Sequence, residues 1–162
     1  DSQLKEIFTN LGVETIFDER GIILYKSKIP QSKFCYNFEC EPDIAQTVVV
    51  TCCVLKKTFH FKGLQTLKIK ETNRIEALIN ECKKLGYVLY EPNEGELAWD
   101  GTLCEKEIVP EIETYKDHRM AMAFAPACIK LGEIKIKDAM VVTKSYPNFW
   151  EDLISMGFEI RK

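Results

Sequence analysis

Apolar residues recur at helical spacing in LKEIFTNLG, with Leu4, Ile7, Phe8 and Leu11 on one face and Gly12 where a left-handed residue ends a helix. Strand-like VETIF and GIILY follow, joined by a turn through residues 18–21. A further strand in FCYNFEC leads to Pro42 and Asp43, then to an apolar helix over about 44–55. Short strands are expected at about 59–61 and 67–69, followed by Lys70 and the next helix. The second half repeats the alternation, with strands expected near 87–90, 112–115, 133–137 and 141–142. Helices alternating with strand pairs predict an α/β domain.

The chain also resembles itself. A displacement of 74 residues lays Leu11-Gly12 on Leu85-Gly86, Asp43 on Asp117 and Lys70 on Lys144. LKEIFTNLGV then lies over LINECKKLGY and EPDIAQTVVV over YKDHRMAMAF, while DLISMGFEI echoes the same helix, glycine and strand a third time. The period is too long for a solenoid, so two copies of one supersecondary unit are predicted, over about 1–74 and 75–162, in a single domain spanning 1–162.

Composition narrows the function. At 162 residues, 46% hydrophobic and 29% charged, the chain has enough material for one sizeable core. A net charge of −3 gives no basic field for nucleic acid, so any anion site must be local. The seven cysteines are an odd number with no CxxC pair, and the two histidines are far apart, which predicts neither a zinc site nor a disulfide framework and fits a reducing cytoplasm. Cys52 and Cys53, inside TVVVTCCVL, read as small buried hydrophobes. No segment approaches the roughly 18 apolar residues of a membrane span, and no signal peptide is visible. The chain opens on Asp1 and runs at once into a helix, which reads as a piece of a longer protein.

Candidate chemistry gathers where the predicted helices begin. Asp117 stands at an N-cap position, with His118 and Arg119 in the first turn behind it; Asp43 is its counterpart in the first half. The other starts carry Lys70-Glu71-Thr72-Asn73-Arg74 and Lys144-Ser145-Tyr146-Pro147. Cations there oppose the helix dipole by about 0.3–1 kcal/mol each, a cost that a bound phosphate or carboxylate offsets. Singly, each feature has a plain reading: Glu71 and Arg74 as a surface ion pair, Asp43 and Asp117 as caps, Lys144 as a solvated lysine. Their recurrence in both halves is what folding does not require.

KETNRIEAL resembles the K-E-T-D-R motif, and TYKDHRMAMAF the D-H-R-M-A-M motif, of the 5-enolpyruvylshikimate-3-phosphate synthase family; PDIAQT and KSYPNFW resemble two further family segments in order and spacing. The resemblance covers nearly the whole chain and implies the C-terminal part of the enzyme. It implies a fold of two lobes, an inside-out α/β barrel in which each lobe is built from βαβαββ units with helix starts aimed into the cleft. The implied reaction joins the 5-hydroxyl of shikimate 3-phosphate to C2 of phosphoenolpyruvate and expels phosphate, with no metal or organic cofactor. By the same resemblance Asp43 binds the shikimate hydroxyls and takes part in removing the 5-hydroxyl proton, Glu71 moves a proton on and off the enolpyruvyl methylene carbon, and Lys70 contacts the shikimate side. Arg74, Arg119 and Lys144 hold the phosphoenolpyruvate anion, and His118 shapes the site. Thr66 stands where many members have an Asn that contacts the shikimate phosphate. Asn73 replaces the motif's usual Asp, and Pro126 should kink the helix after Arg119.

The implied partners are the two substrates and the N-terminal lobe of the same enzyme, not nucleic acid or membrane, and this chain alone is expected to be inactive. Two other readings compete: a lobe of the related enolpyruvyl transferase that acts on UDP-N-acetylglucosamine, and a non-catalytic phosphate-binding α/β domain.

Overall fold

A computed structural model describes residues 3–161; residues 1, 2 and 162, at the ends of the predicted domain, lie outside the described set. Helix α1, Leu4–Thr9, ends at Gly12, whose φ of +84° is a conformation that side chains resist. Strands β1, Val13–Asp18, and β2, Gly21–Lys26, form an antiparallel hairpin with Val13 opposite Lys26 and Asp18 opposite Gly21. The Asp18 side chain makes the turn, accepting from the backbone N–H of Arg20 and Gly21 at 2.7 and 3.0 Å. Beyond Thr15 the hairpin buries little, and Phe17, Ile22, Leu24 and Tyr25 stand exposed.

The main core lies under a three-stranded sheet ordered β3, β4, β5. Strand β3, Phe34–Asn37, pairs in parallel with β4, Phe59–Lys62, and β4 pairs antiparallel with β5, Leu97–Trp99. Helix α2, Ala45–Val54, makes the crossover that parallel pairing demands. It is apolar all round because it is buried nearly all round, with Val48, Val49, Cys52 and Cys53 fully enclosed, so the two cysteines are core residues. Phe34, Phe38, Phe59 and Phe61 stack and cross at 4.5–5.2 Å between ring centres beneath it. Each such ring contributes roughly 1.5–3 kcal/mol relative to exposure.

Helix α3, Arg74–Lys84, closes on Gly86, and β6, Glu111–Ile112, pairs in parallel with β7, Lys135–Ile136. Between these strands run α4, His118–Phe124, and α5, Cys128–Leu131. Pro126 separates the two helices as expected: residues Ala125–Ala127 tighten into a 3-10 turn where the missing proline N–H breaks the α ladder. Helix α6, Phe149–Ser155, covers a smaller cluster of Ala121, Val142, Phe149 and Leu153.

Several expected strands are absent as such. The apolar runs near 67–69 and 141–142 are 3-10 turns, Gln65–Ile69 and Ala139–Lys144, and neither pairs with a strand among the described residues. Residues 87–90 contribute only single bridges, Tyr87 to Leu103 and Tyr90 to Ala98. The strand expected over 112–115 stops at Ile112, since Tyr115 and Lys116 turn left-handed, at φ +53° and +57°. That conformation costs about 1–2 kcal/mol per residue, and a buried carboxylate holds it. Glu81 accepts from the Tyr115 hydroxyl at 2.8 Å and from the Glu113 N–H at 3.0 Å, with Lys84 Nζ at 2.6 Å.

Candidate active site

Helices α2, α3 and α4 begin on the same side of the core, and the turn Ala139–Lys144 packs against α4. This convergence gathers Asp43, Lys70, Glu71, Arg74, Asp117, Arg119 and Lys144, which the sequence scatters, into one network of side chains.

Arg74 is its centre. The guanidinium is almost wholly buried, its side chain 2% exposed, and three carboxylates surround it. Nε donates to Oδ2 of Asp117 at 2.6 Å and Nη2 to Oδ1 at 3.4 Å; Nη1 donates to Oδ1 of Asp43 at 3.1 Å and Nη2 to Oε2 of Glu71 at 2.9 Å. The planar fork of arginine suits this shared role as lysine would not. Arg119 approaches from the other side of Asp43, donating to its backbone carbonyl at 3.0 Å and to Oδ2 at 3.1 Å. Lys70 Nζ lies 3.8 Å from Asp43 Oδ1, and Lys144 Nζ donates to Oε1 of Glu71 at 2.8 Å. Formally four cations face three carboxylates, a surplus of one positive charge.

Two of the helix-start assignments need correction. Asp43 is not a cap: it sits in the 3-10 turn Pro42–Ile44, and its carboxylate faces Arg74 and Arg119 while the N-cap of α2, Ile44, has no side-chain partner. Lys144 ends a 3-10 turn five residues before α6 and is in no first turn. The charge that offsets the clustered cations comes from the protein's own carboxylates. Asp117 does cap α4, accepting from the Arg119 N–H at 2.8 Å. Asn73, where the motif usually has Asp, caps α3 by accepting from the Glu76 N–H, a role its amide oxygen fills without charge.

Glu71 is held down at about 2, first by the Lys144 hydrogen bond and then by its own backbone N–H and Arg74. This is opposite in direction to what a proton donor needs. His118 is buried, its pKa pushed below the ordinary 6.5 by desolvation and by Arg119, although Asp117 pulls the other way, so the ring is neutral near pH 7. Among the described residues its Nδ1 has no hydrogen-bond partner, nor do the buried Thr114 hydroxyl and both amide atoms of Gln46. Thr66 lies exposed in the turn Gln65–Ile69, and no hydrogen bond ties its side chain to the network among the described residues. No group of three or more His, Cys, Asp or Glu among the described residues is arranged to hold a metal.

Sequence reasoning missed the reach of Asp117. A cap position was visible in the text, but the bond to Arg74 spans 43 residues, and no local pattern signals it.

A sequence model of the family described as EPSP synthase (3-phosphoshikimate 1-carboxyvinyltransferase) matches residues 2–153. The chain is 52% identical over 161 residues to the 3-phosphoshikimate 1-carboxyvinyltransferase of Bacteroides fragilis, an alignment covering 99% of this chain and 39% of that protein. It is 34% identical over 154 residues to the enzyme of the same name from Methanospirillum hungatei, covering 94% of this chain and 35% of the other. The solved EPSP synthase of Acinetobacter baumannii superposes with a TM-score of 0.71 at 21% identity, over 96% of this chain and 39% of that one. The chain thus spans about two-fifths of the length of these relatives.

Proposed function

The chain belongs to the EPSP synthase family, and we propose that the protein it forms part of transfers the enolpyruvyl group of phosphoenolpyruvate to the 5-hydroxyl of shikimate 3-phosphate, this chain supplying one side of the site. The fold is mixed α/β and matches part of a solved member. We take residues 1–162 as one domain of two related units, about 1–74 and 75–162; the helix closures at Gly12 and Gly86, both at positive φ, support that division. No helix among the described residues is long and apolar enough to cross a membrane, and cytoplasmic action in the shikimate pathway fits the reading.

The observation that carries the proposal is the network itself. Asp43 and Glu71, 45% and 30% exposed, are reached by four cations, of which Arg74 and Arg119 stand 31 and 76 residues from Asp43 and Lys144 stands 73 from Glu71. In the reaction the hydroxyl oxygen bonds to C2 of phosphoenolpyruvate while C3 takes a proton; C3 then returns that proton as the C2–O bond to phosphate breaks. Asp43 is the acceptor for the hydroxyl proton, with Lys70 beside it for the shikimate side. Arg74, Arg119 and Lys144 turn toward the carboxylate and phosphate of phosphoenolpyruvate, His118 stays neutral against them, and Thr66, exposed in the turn Gln65–Ile69, is assigned to the shikimate phosphate. Glu71 serves C3, but only once Lys144 leaves it. The phosphate of phosphoenolpyruvate is a suitable partner to draw Lys144 away, and the carboxyl pKa then rises toward the range in which it can both give and take a proton.

Phosphate release from the two substrates tests the reading. The intact protein should turn over and this chain alone should not, while mixing it with the separately made remainder should restore activity. Glu71→Gln in the intact protein should lower kcat by about a hundredfold or more at a temperature where the variant remains folded. Turnover by the chain alone, or an active Glu71→Gln enzyme, would overturn the assignment.

A further inference from the structure

Arg74 is fixed by one edge of its guanidinium and offered by the other. The inner edge, Nε and Nη2, meets the Asp117 carboxylate, which is fully buried. The outer end, Nη1 and Nη2, meets Asp43 and Glu71, both of which reach solvent. The same Asp117 Oδ1 accepts the N–H of Arg119, so one enclosed carboxylate sets both the seat of Arg74 and the entry of the helix that carries Arg119.

We propose that Asp117 is a positioning residue: a permanent counter-ion for the inner edge of Arg74 that leaves the outer edge free to exchange Asp43 and Glu71 for the carboxylate of phosphoenolpyruvate. This rests on the functional reading above. The reason is competition. A buried guanidinium that lost Asp117 would hold Asp43 and Glu71 as its only anions, and an incoming carboxylate would have to displace them from an otherwise unpaired charge. With Asp117 in place the inner charge is already matched, and the outer contacts can be traded. Arg119, joined to the same carboxylate through its backbone, keeps its spacing from Arg74 while that exchange happens.

Asp117→Asn separates this role from capping, because an Asn oxygen still accepts the Arg119 N–H while the charge is gone. In the intact protein we expect KM for phosphoenolpyruvate to rise by about tenfold to a hundredfold, the scale on which misplaced binding groups act. The acid limb of the pH profile should move to lower pH, since removing a neighbouring negative charge favours ionised Glu71. A cap alone would move neither. The second measurement is hydrogen exchange at Arg74 Nε by 15N NMR of the wild-type intact protein. It should stay slow with and without saturating phosphoenolpyruvate, whereas Arg119 Nε exchanges fast. Unchanged KM and pH limb in Asp117→Asn, or Arg74 Nε exchange that speeds up when phosphoenolpyruvate is added, overturns the proposal. If Asp117→Asn does not fold, the wild-type exchange decides alone. A wild-type protein that does not turn over defeats the functional reading instead, and slow or fast exchange at Arg74 Nε still settles the anchoring.

Discussion

Replacing Arg74 by Met keeps much of the side-chain volume and removes the charge at the centre of the network. Asp117 would then hold a fully buried carboxylate with only the Arg119 backbone N–H as partner. Removing one member of a buried ion pair costs about 3–5 kcal/mol. Asp43 and Glu71 add little to that figure, because water reaches both. Asp117→Asn alone leaves Arg74 two carboxylates and should cost less, about 1–3 kcal/mol. The double variant buries neither charge, so it should be more stable than Arg74→Met alone, with a coupling of about 2–3 kcal/mol. Native-state hydrogen exchange of the α3 and α4 amides in the intact protein reads these values locally, without requiring one unfolding transition for the whole molecule. Additivity within about 0.5 kcal/mol, or an Arg74→Met cost below about 1 kcal/mol, would refute the picture of a buried pair.

The Glu71 and Lys144 contact makes stability depend on acid. Glu71 falls from 4.5 to about 2 in the folded protein, so its contribution is complete above pH 4.5 and is lost as pH drops toward 2. The melting-temperature gap between wild type and Lys144→Met should therefore narrow across that window, and a gap independent of pH would break the assignment. Tyr115→Phe removes the hydroxyl from buried Glu81 and should destabilise by about 1–3 kcal/mol, seen as faster exchange of the amides around Tyr115; no change would mean that Lys84 and the Glu113 N–H suffice. Gly63→Ala should cost more than the 1–2 kcal/mol of a left-handed alanine. Its Cβ would lie 2.1 Å from Asn37 Oδ1 and 2.5 Å from the Glu39 nitrogen, so a urea midpoint equal to wild type would mean the β3 end yields freely.

Much of the scaffold was legible because it is written locally. Asp18 and Gly21 mark the hairpin turn, Asp117 a cap, Pro126 a break and TVVVTCCV an apolar helix with buried cysteines, each within a few residues of its effect. The runs near Leu67 and Val142 misled because apolar character does not say whether a partner strand lies alongside. Strand β5 escaped notice because three residues between Glu96 and Asp100 carry no periodicity. At the site, the residue types were readable and their pairing was not. Asp43 looked like a cap because cap rules look three residues ahead, whereas its partners stand 31 and 76 residues away. Arg74 looked like a surface ion pair with Glu71, and that bond does exist, but it is the outer side of a guanidinium whose other edge is buried against Asp117.

The hairpin of β1 and β2 matters for anyone handling the chain by itself. Among the described residues it pairs only with itself, so each strand leaves an outer row of backbone donors and acceptors open, flanked by Phe17, Ile22 and Leu24, each more than 60% exposed. Such an edge is a template for strand addition between molecules. A concentrated preparation of the isolated chain should therefore gain cross-molecular β structure through these strands while the charged network stays intact, and Leu24→Lys should slow that gain.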